Sequence, residues 1–204
     1  MFSISFITQY LNYLIMKKTF YLLFAVTFFF ACNNEPNAGS EENTDQTDET
    51  TTDASTEMIE ETIETSETIN MSAEALWSNM STLQGIENLI PEVISSSSVE
   101  GEGLGMKRTC TLADGSGDLQ EEVTKLDPEN MVLEVTVNSS PFPVSDYVNT
   151  MQIVKGEDEN TCKMVWTSKY KCSKDVAPEV KESFTGVINL AYTNMNKMAM
   201  AIKE

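Results

Sequence analysis

Within GMKRTCTLADGSGDLQEEV, residues 105–123, one arginine and several acids sit in two runs of alternating polarity on either side of Asp114-Gly115. Alternation of this kind marks strands that turn one face to an apolar interior. Asp-Gly is the preferred pair for a two-residue type I′ hairpin turn, in which both positions need φ > 0. Such a turn sets Ala113 opposite Ser116, then Cys110 opposite Leu119, Arg108 opposite Glu121 and Met106 opposite Val123. Every apolar residue of both strands then falls on one face, while Lys107, Thr109, Thr111, Asp118, Gln120 and Glu122 take the other. A three-residue loop would instead pair Arg108 with Glu122 and turn Leu119 and Val123 outward, which argues against it. Arg108 and Glu121 therefore meet on the apolar face, and two readings are open. One is a buried ion pair that fixes register; it adds little net stability, although losing one partner costs roughly 3–5 kcal/mol. The other is a polar spot in a mostly apolar cavity, where it can meet the polar atoms of a ligand.

Other chemistries are excluded by what the chain lacks. It contains no histidine, so Ser-His and Cys-His nucleophile pairs and His-based zinc sites are absent. No metal ligands stand at convincing spacing, and no cofactor is expected. The formal charge of −19 without a basic stripe argues against nucleic acid as a partner. Besides Cys32 there are Cys110, Cys162 and Cys172. The last two, ten residues apart on one extended strand, would lie about 33 Å apart and could not pair. Buried free thiols are the expectation, with a bridge from Cys110 to one of them as the alternative.

The elements that must position the pair can be read along the chain. MIEETIETSETI places Ile59, Ile63 and Ile69 on one parity of a strand. NMSAEALWSNM reads as a helix start, with Ser72 as N-cap, Glu74 in the first turn, and Ala75, Leu76, Trp77 and Met80 on its apolar side. A second short helical piece, LQGIENLIP, ends at Pro91. After the hairpin, Met131, Leu133, Val135 and Val137 share a face, as do Tyr147, Asn149, Met151 and Ile153. So do Cys162, Met164, Trp166, Ser168, Tyr170 and Cys172, with Lys163, Lys169 and Lys171 on the solvated side. Finally Val180, Phe184, Val187, Ile188, Ala191, Met195, Met198 and Ile202 recur at helical spacing, giving a long amphipathic helix able to cover an antiparallel sheet.

The N-terminal third is different in kind. Residues 1–31 form a signal region: MKKTFYLLFAVTFFFAC begins at Met16, carries Lys17 and Lys18, and runs apolar to Ala31. The apolar run is shorter than the ~20 residues of a spanning helix. Ala31-Cys32 resembles the cleavage site of bacterial lipoproteins, although Phe29 stands where leucine is usual, and this implies lipidation at Cys32. An uncleaved anchor is the alternative, and translation from Met16 is an alternative to Met1. Residues 32–57 read as an acidic, disordered tether. Residues 33–68 hold 12 acids and no basic residue, whereas residues 69–204 hold 20 acids against 11 basic residues. The acidity thus belongs in good part to the tether, and residues 58–204 form one domain.

The order strand, two short helices, six strands and long helix resembles the START-like superfamily and, within it, the polyketide cyclase/dehydrase-like proteins. SAEALW, GEGLGMKRTCTLADG, EEVTKLD (with Glu121 and Asp127) and SPFPVSDYVNTMQIV (with Pro141, Pro143, Val144 and Tyr147) carry the resemblance. It implies an α+β helix-grip fold, in which a curved antiparallel sheet wraps around a long C-terminal helix and leaves a cavity between them. By matched position it makes Arg108, Glu121, Tyr147 and Asn149 the polar groups of that cavity. Cys110, Leu112 and Leu119 would line it from the hairpin, and Val135, Val137, Met151, Met164 and Trp166 from the following strands. Phe184, Ile188 and Tyr192 would line it from the helix. Plant hormone receptors of the superfamily carry a lysine on the second strand to meet a carboxylate, but Ser95 stands at the matching position here.

The resemblance implies a lipid-anchored binding module that holds a small hydrophobic molecule, lipid or polyketide-like, with Cys32 tying it to a membrane of the bacterial cell envelope. A cyclase- or dehydratase-type enzyme using Tyr147, Glu121 and Arg108 is one alternative. A structural or adaptor lipoprotein with a collapsed core is the other.

Overall fold

Side-chain alternation dictates most of what the chain does from Met58 onward. In the computed structural model, which describes residues 57–201, the order is β1 (Met58–Ile69), α1 (Ala73–Met80), α2 (Ile86–Leu89), β2 (Ile94–Glu100), β3 (Lys107–Leu112) and β4 (Asp118–Asp127). Then come β5 (Val132–Ser139), β6 (Val144–Lys155), β7 (Cys162–Ser173) and α3 (Ala177–Ala201). The signal region, Cys32, the acidic segment up to residue 56 and Ile202 lie outside the described residues. The seven strands form one antiparallel sheet in the order β1-β7-β6-β5-β4-β3-β2, and α3 lies along β1 and β7. This is the α+β helix-grip fold that the sequence predicts, with both short helices after the first strand.

Each strand buries the parity expected of it. Cys110, Leu112, Val123, Leu133, Val135, Met151, Met164 and Tyr170 are all sealed inside, while Lys107, Gln120, Lys163, Lys169 and Lys171 are exposed. Ser72 caps α1, its Oγ accepting from Ala75 N–H at 3.2 Å, which satisfies one donor that a helix start leaves unpaired. The long helix is held to β1 by a run of polar contacts. Lys181 meets Glu61 at 2.8 Å, Tyr192 Oη lies 3.0 Å from Thr65 Oγ1, and Asn196 donates to Thr68 O at 3.0 Å. At one end of the sheet the register gathers the β3–β4 turn, the β5–β6 loop, the β7–α3 loop and the start of β1. Lys174 N–H donates to Glu57 O there at 2.9 Å, and Gly117 lies against the Pro141 ring.

Three details differ from the sequence reading. The β3–β4 connection keeps the predicted register, Cys110 opposite Leu119 and Arg108 opposite Glu121, but it is not a type I′ turn. Of the Asp-Gly pair only Gly115 has positive φ, at 74°. Its N–H donates to Leu112 O at 3.2 Å, and Leu112 N–H donates to Gly117 O at 3.0 Å. Asp114 instead uses its carboxylate to accept from Ser116 N–H at 2.9 Å, an Asx-type turn that keeps Asp114 out of the left-handed region. In α1, Ala75 is exposed and Ala73 takes its place in the core. In α3 the buried stripe runs Ile188, Ala191, Tyr192, Met195, Ala199, so Met198 points outward at 47% exposure. A 3.6-residue period places 199 rather than 198 under 195.

The stripe can be checked by paired truncations. Met195→Ala should cost about 2–5 kcal/mol in urea denaturation, and Met198→Ala no more than about 0.5 kcal/mol. Equal losses would mean that the helix is rotated from the position described.

Candidate functional site

The site begins with the two strands that face Arg108 to Glu121. Their side chains are 12% and 5% exposed, and the guanidinium grips a single carboxylate oxygen with two donors: Nε to Oε2 at 2.7 Å and Nη2 to Oε2 at 2.6 Å. The third guanidinium nitrogen, Nη1, donates to Leu83 O at 3.1 Å. Cys110 Sγ lies 3.9 Å from the same Oε2. Burial works against the guanidinium charge, but the Glu121 carboxylate outweighs it and raises the Arg108 pKa above its ordinary value.

Leu83, in the α1–α2 connection, is 3% exposed and holds φ at 56°. A bulky apolar residue rarely adopts this left-handed conformation. The core fixes its side chain and Arg108 takes its carbonyl.

Two strands away, Asn149 is buried on β6 beside Ser168 on β7. Its Oδ1 accepts from Ser168 Oγ at 2.6 Å and from Trp166 Nε1 at 3.0 Å. Val135 and Val137 of β5 stand between this group and Glu121, next to Asn149 and Glu121 respectively. Across two strand spacings and a two-residue offset along β5 the polar groups are thus about 12 Å apart. Tyr147 completes the set. Its ring stacks on Phe184 of α3 with centroids 4.9 Å apart and meets Tyr170 edge-on at 5.9 Å. Burial pushes its phenol up to about 12, with Asn149 and Ser168 drawing it partly back.

Of the residues predicted for the cavity, Cys110, Leu112, Glu121, Val135, Asn149, Met151, Met164, Phe184, Ile188 and Tyr192 are buried. Arg108, Leu119, Val137, Tyr147 and Trp166 are half-buried. Tyr192 points its hydroxyl at β1, where it lies within reach of both the side chain and the carbonyl of Thr65. Ser95 is exposed and donates to Thr111 O. An open cleft of about 570 Å³ lies elsewhere, lined by polar residues of the α1–α2 region and β2, among them Asn79, Gln84, Glu87 and Ser97. None of the predicted cavity residues lines it. The three cysteines of the domain are free and buried. Burial raises Cys110 to about 12 and Cys162 to about 11, so neither supplies a thiolate at neutral pH. Among the described residues no cluster of acids and cysteines could hold a metal ion, and no helix is long and apolar enough to cross a membrane.

The sequence reading missed three participants. Ser168 was visible as a lone hydroxyl on an apolar parity. Leu83 left no signal, because nothing marks a leucine for positive φ. Tyr170 was placed on the inward face, but its Oη is buried without a hydrogen-bond partner among the described residues.

Three predictions follow from these contacts. Arg108→Met should cost roughly 3–5 kcal/mol, and adding Glu121→Met should restore most of it, because a well-packed apolar pair replaces a buried ion pair at little loss; a double variant as unstable as the single would contradict the pairing. Tyr170→Phe should leave stability unchanged or raise it by about 1 kcal/mol, since it removes an unsatisfied hydroxyl; a clear loss would reveal a hydrogen-bond partner. Cys110 is raised from 9.0 and Tyr147 from 10.0, both to about 12. The folded chain therefore holds these protons more firmly than the unfolded chain does. The stability they contribute is complete below the unfolded values and lost as pH climbs toward 12. Urea midpoints should be insensitive to these groups up to about pH 9 and fall above it; a rise in the alkaline range would refute the assignment.

Comparison with known proteins agrees with this geometry. A family profile described as polyketide cyclase/dehydrase and lipid transport matches residues 60–197. Among solved structures, an uncharacterised protein from Bacillus thuringiensis aligns with TM-score 0.61 and 20% identity over 69% of this chain and 99% of that one. XoxI from Bacillus cereus gives 0.59 and 21% over 70% and 98%. Norcoclaurine synthase from Thalictrum flavum, in complex with dopamine and hydroxybenzaldehyde, gives 0.57 and 17% over 71% and 88%. At such identities the likeness shows the fold. No protein of curated function matches the chain. The profile match spans the sheet and nearly all of the long helix, and the chain belongs to the polyketide cyclase/dehydrase and lipid transport family of START-like proteins.

Proposed function

We propose that the domain holds one small hydrophobic molecule between the inner face of its sheet and α3, and that an acylated Cys32 keeps it at a membrane of a bacterial cell envelope. One observation carries the binding reading. Leu119, Val137, Tyr147 and Trp166 belong by register to the inward face, yet each stays half-buried, while their neighbours Cys110, Val135, Asn149 and Met164 are sealed. A solid core seals such positions; surface left on them is what a ligand space leaves. Leu119, Val137 and Tyr147 stand toward the end of the sheet where the turn and loops gather, and half-buried Phe142 lies in the β5–β6 loop at that end. Phe142 packs edge-on against Phe184 at 5.5 Å. The shared fold of norcoclaurine synthase, bound to dopamine and hydroxybenzaldehyde, is in keeping with a small aromatic or apolar guest.

Holding is favoured over turnover. A general acid or base works best with a pKa near the operating pH, whereas Tyr147 and Cys110 keep their protons up to about 12. Every nitrogen of Arg108 is already engaged by Glu121 and Leu83. The Cys32 anchor rests on the Ala31-Cys32 sequence and the basic, then apolar, run before it.

Native mass spectrometry on the chain from Asn33 onward, purified from its own cells, is the test of binding. A reproducible extra mass released by organic solvent is expected, and Leu119→Trp should reduce it by filling the space. A clean mass even after incubation with a cell lipid extract would remove the proposal. For the anchor, a fatty-acid label should be incorporated by the full chain and lost in Cys32→Ser; an unlabelled wild type would refute it.

A further inference from the structure

We propose that the cleft between the α1–α2 region and β2 binds a neutral sugar unit through its hydroxyls, on residues the interior site does not use. The cleft has a volume of about 570 Å³, within the range of roughly 300–1,000 Å³ usual for small-molecule sites. An apolar guest finds little there, since Val99 is the one apolar side chain of the lining. Among the described residues the lining holds no lysine or arginine, and its one charged group is the Glu87 carboxylate. Ser97 Oγ donates to Glu87 Oε2 at 2.6 Å and holds that carboxyl below its ordinary value, so it is ionised at neutral pH. Arg108 stands opposite Val99 in the next strand, but its charge is met by Glu121. A carboxylate or phosphate in the cleft therefore meets a like charge and no free cation.

What the lining does offer is amides and hydroxyls: Asn79, Gln84 and Asn88 carry the first, Thr82 and Ser97 the second. A side-chain amide sets donors and an acceptor side by side, and a hydroxyl both donates and accepts. Two adjacent hydroxyls of a sugar ring thus answer one amide in full. An anion brings acceptors alone, and an ammonium donors alone. Several of these groups are already held in place. Asn79 Nδ2 donates to Ala75 O at 2.9 Å, Thr82 Oγ1 to Asn79 O at 2.9 Å, and Asn88 Nδ2 to Glu87 Oε1 at 3.4 Å. Side chains fixed in this way lose less freedom when a guest arrives. An extended peptide is the other neutral guest rich in donors and acceptors, but such peptides are read by the backbone of a strand edge. Here the backbone at Gly85 is committed to α2, its carbonyl accepting from Asn88 and Leu89 N–H at 3.0 and 3.1 Å.

The test is an NMR titration near neutral pH of the chain from Asn33 onward, which keeps every described residue. The side-chain amide signals of Asn79, Gln84 and Asn88 report directly on the cleft. The probes are maltotriose, triacetylchitotriose, the anionic trigalacturonate and the neutral peptide acetyl-triglycine amide. At least one neutral trisaccharide should move those signals with a Kd of about 1 mM or tighter, and trigalacturonate should bind about tenfold more weakly. Preference for triacetylchitotriose would identify an N-acetylated chain as the source of the sugar, and preference for maltotriose a plain hexose chain; either supports the inference. The double variant Gln84→Ala with Asn88→Ala, at two exposed positions, should weaken binding about tenfold with the backbone spectrum otherwise preserved. Leu119→Trp, which fills the interior, should leave the titration unchanged. The inference is overturned if neither neutral trisaccharide shifts the three amides. It is equally overturned if trigalacturonate or the peptide binds as tightly as the sugars, or if the double variant binds like the wild type. None of these results bears on whether the interior holds a guest.

Discussion

A carboxylate buried in an apolar sheet has to be met, and the means of meeting it governs much of this domain. Glu121 is 5% exposed; without Arg108 its charge would be stranded, and the two can meet only if β3 and β4 hold one register. The same register sends Cys110, Leu112, Leu119 and Val123 inward and Lys107, Asp118 and Glu122 to the opposite face. A slip by one residue would undo the ion pair and the core together. The pair adds little net stability and a great deal of specificity, because few other arrangements of these two strands are tolerable. Its third nitrogen extends the constraint to the α1–α2 connection through Leu83, so one side chain locates two strands and the helical segment beside them.

Much of this is legible in the sequence. The β3–β4 register could be read because one face of a strand repeats every second residue, and only one offset puts all the apolar residues together. The geometry of the turn was not legible, since Asp114 could either enter the left-handed region or accept from Ser116, and side-chain competition decided the matter. The helical stripe was read correctly up to Met195 and lost at Met198, where an alanine sits in the core and a methionine does not. Hydrophobicity favours the larger residue, but helix rotation is set by the helical period and by Asn196, Tyr192 and Lys181 tying α3 to β1. Leu83 was invisible for the same reason that it is informative: its conformation answers to tertiary contacts and runs against its own preference.

The chain contains no histidine, and burial displaces the Tyr147 phenol and the Cys110 thiol upward, away from neutrality. Burial that lifts Tyr147 and Cys110 to about 12 also makes them fixed donors, whose hydrogen-bonding character holds across the neutral range. The polar cleft on the α1–α2 side is separate from this interior and shares with it only the neighbourhood of Arg108, whose β2 partner Val99 lines the cleft.

The left-handed Leu83 has a consequence for how such a sequence can change. Its backbone conformation suits glycine, its side chain is needed in the core at 3% exposure, and its carbonyl is claimed by a guanidinium that is itself required by Glu121. Glycine at position 83 would relax the backbone and open a void. Losing Arg108 would free the carbonyl and strand the carboxylate, and losing Glu121 would leave the guanidinium without its counter-charge. Each single step from the present state thus destabilises the domain for a different reason. Positions 83, 108 and 121, far apart along the chain, are coupled, so the effect of a substitution at one depends on which residues stand at the other two.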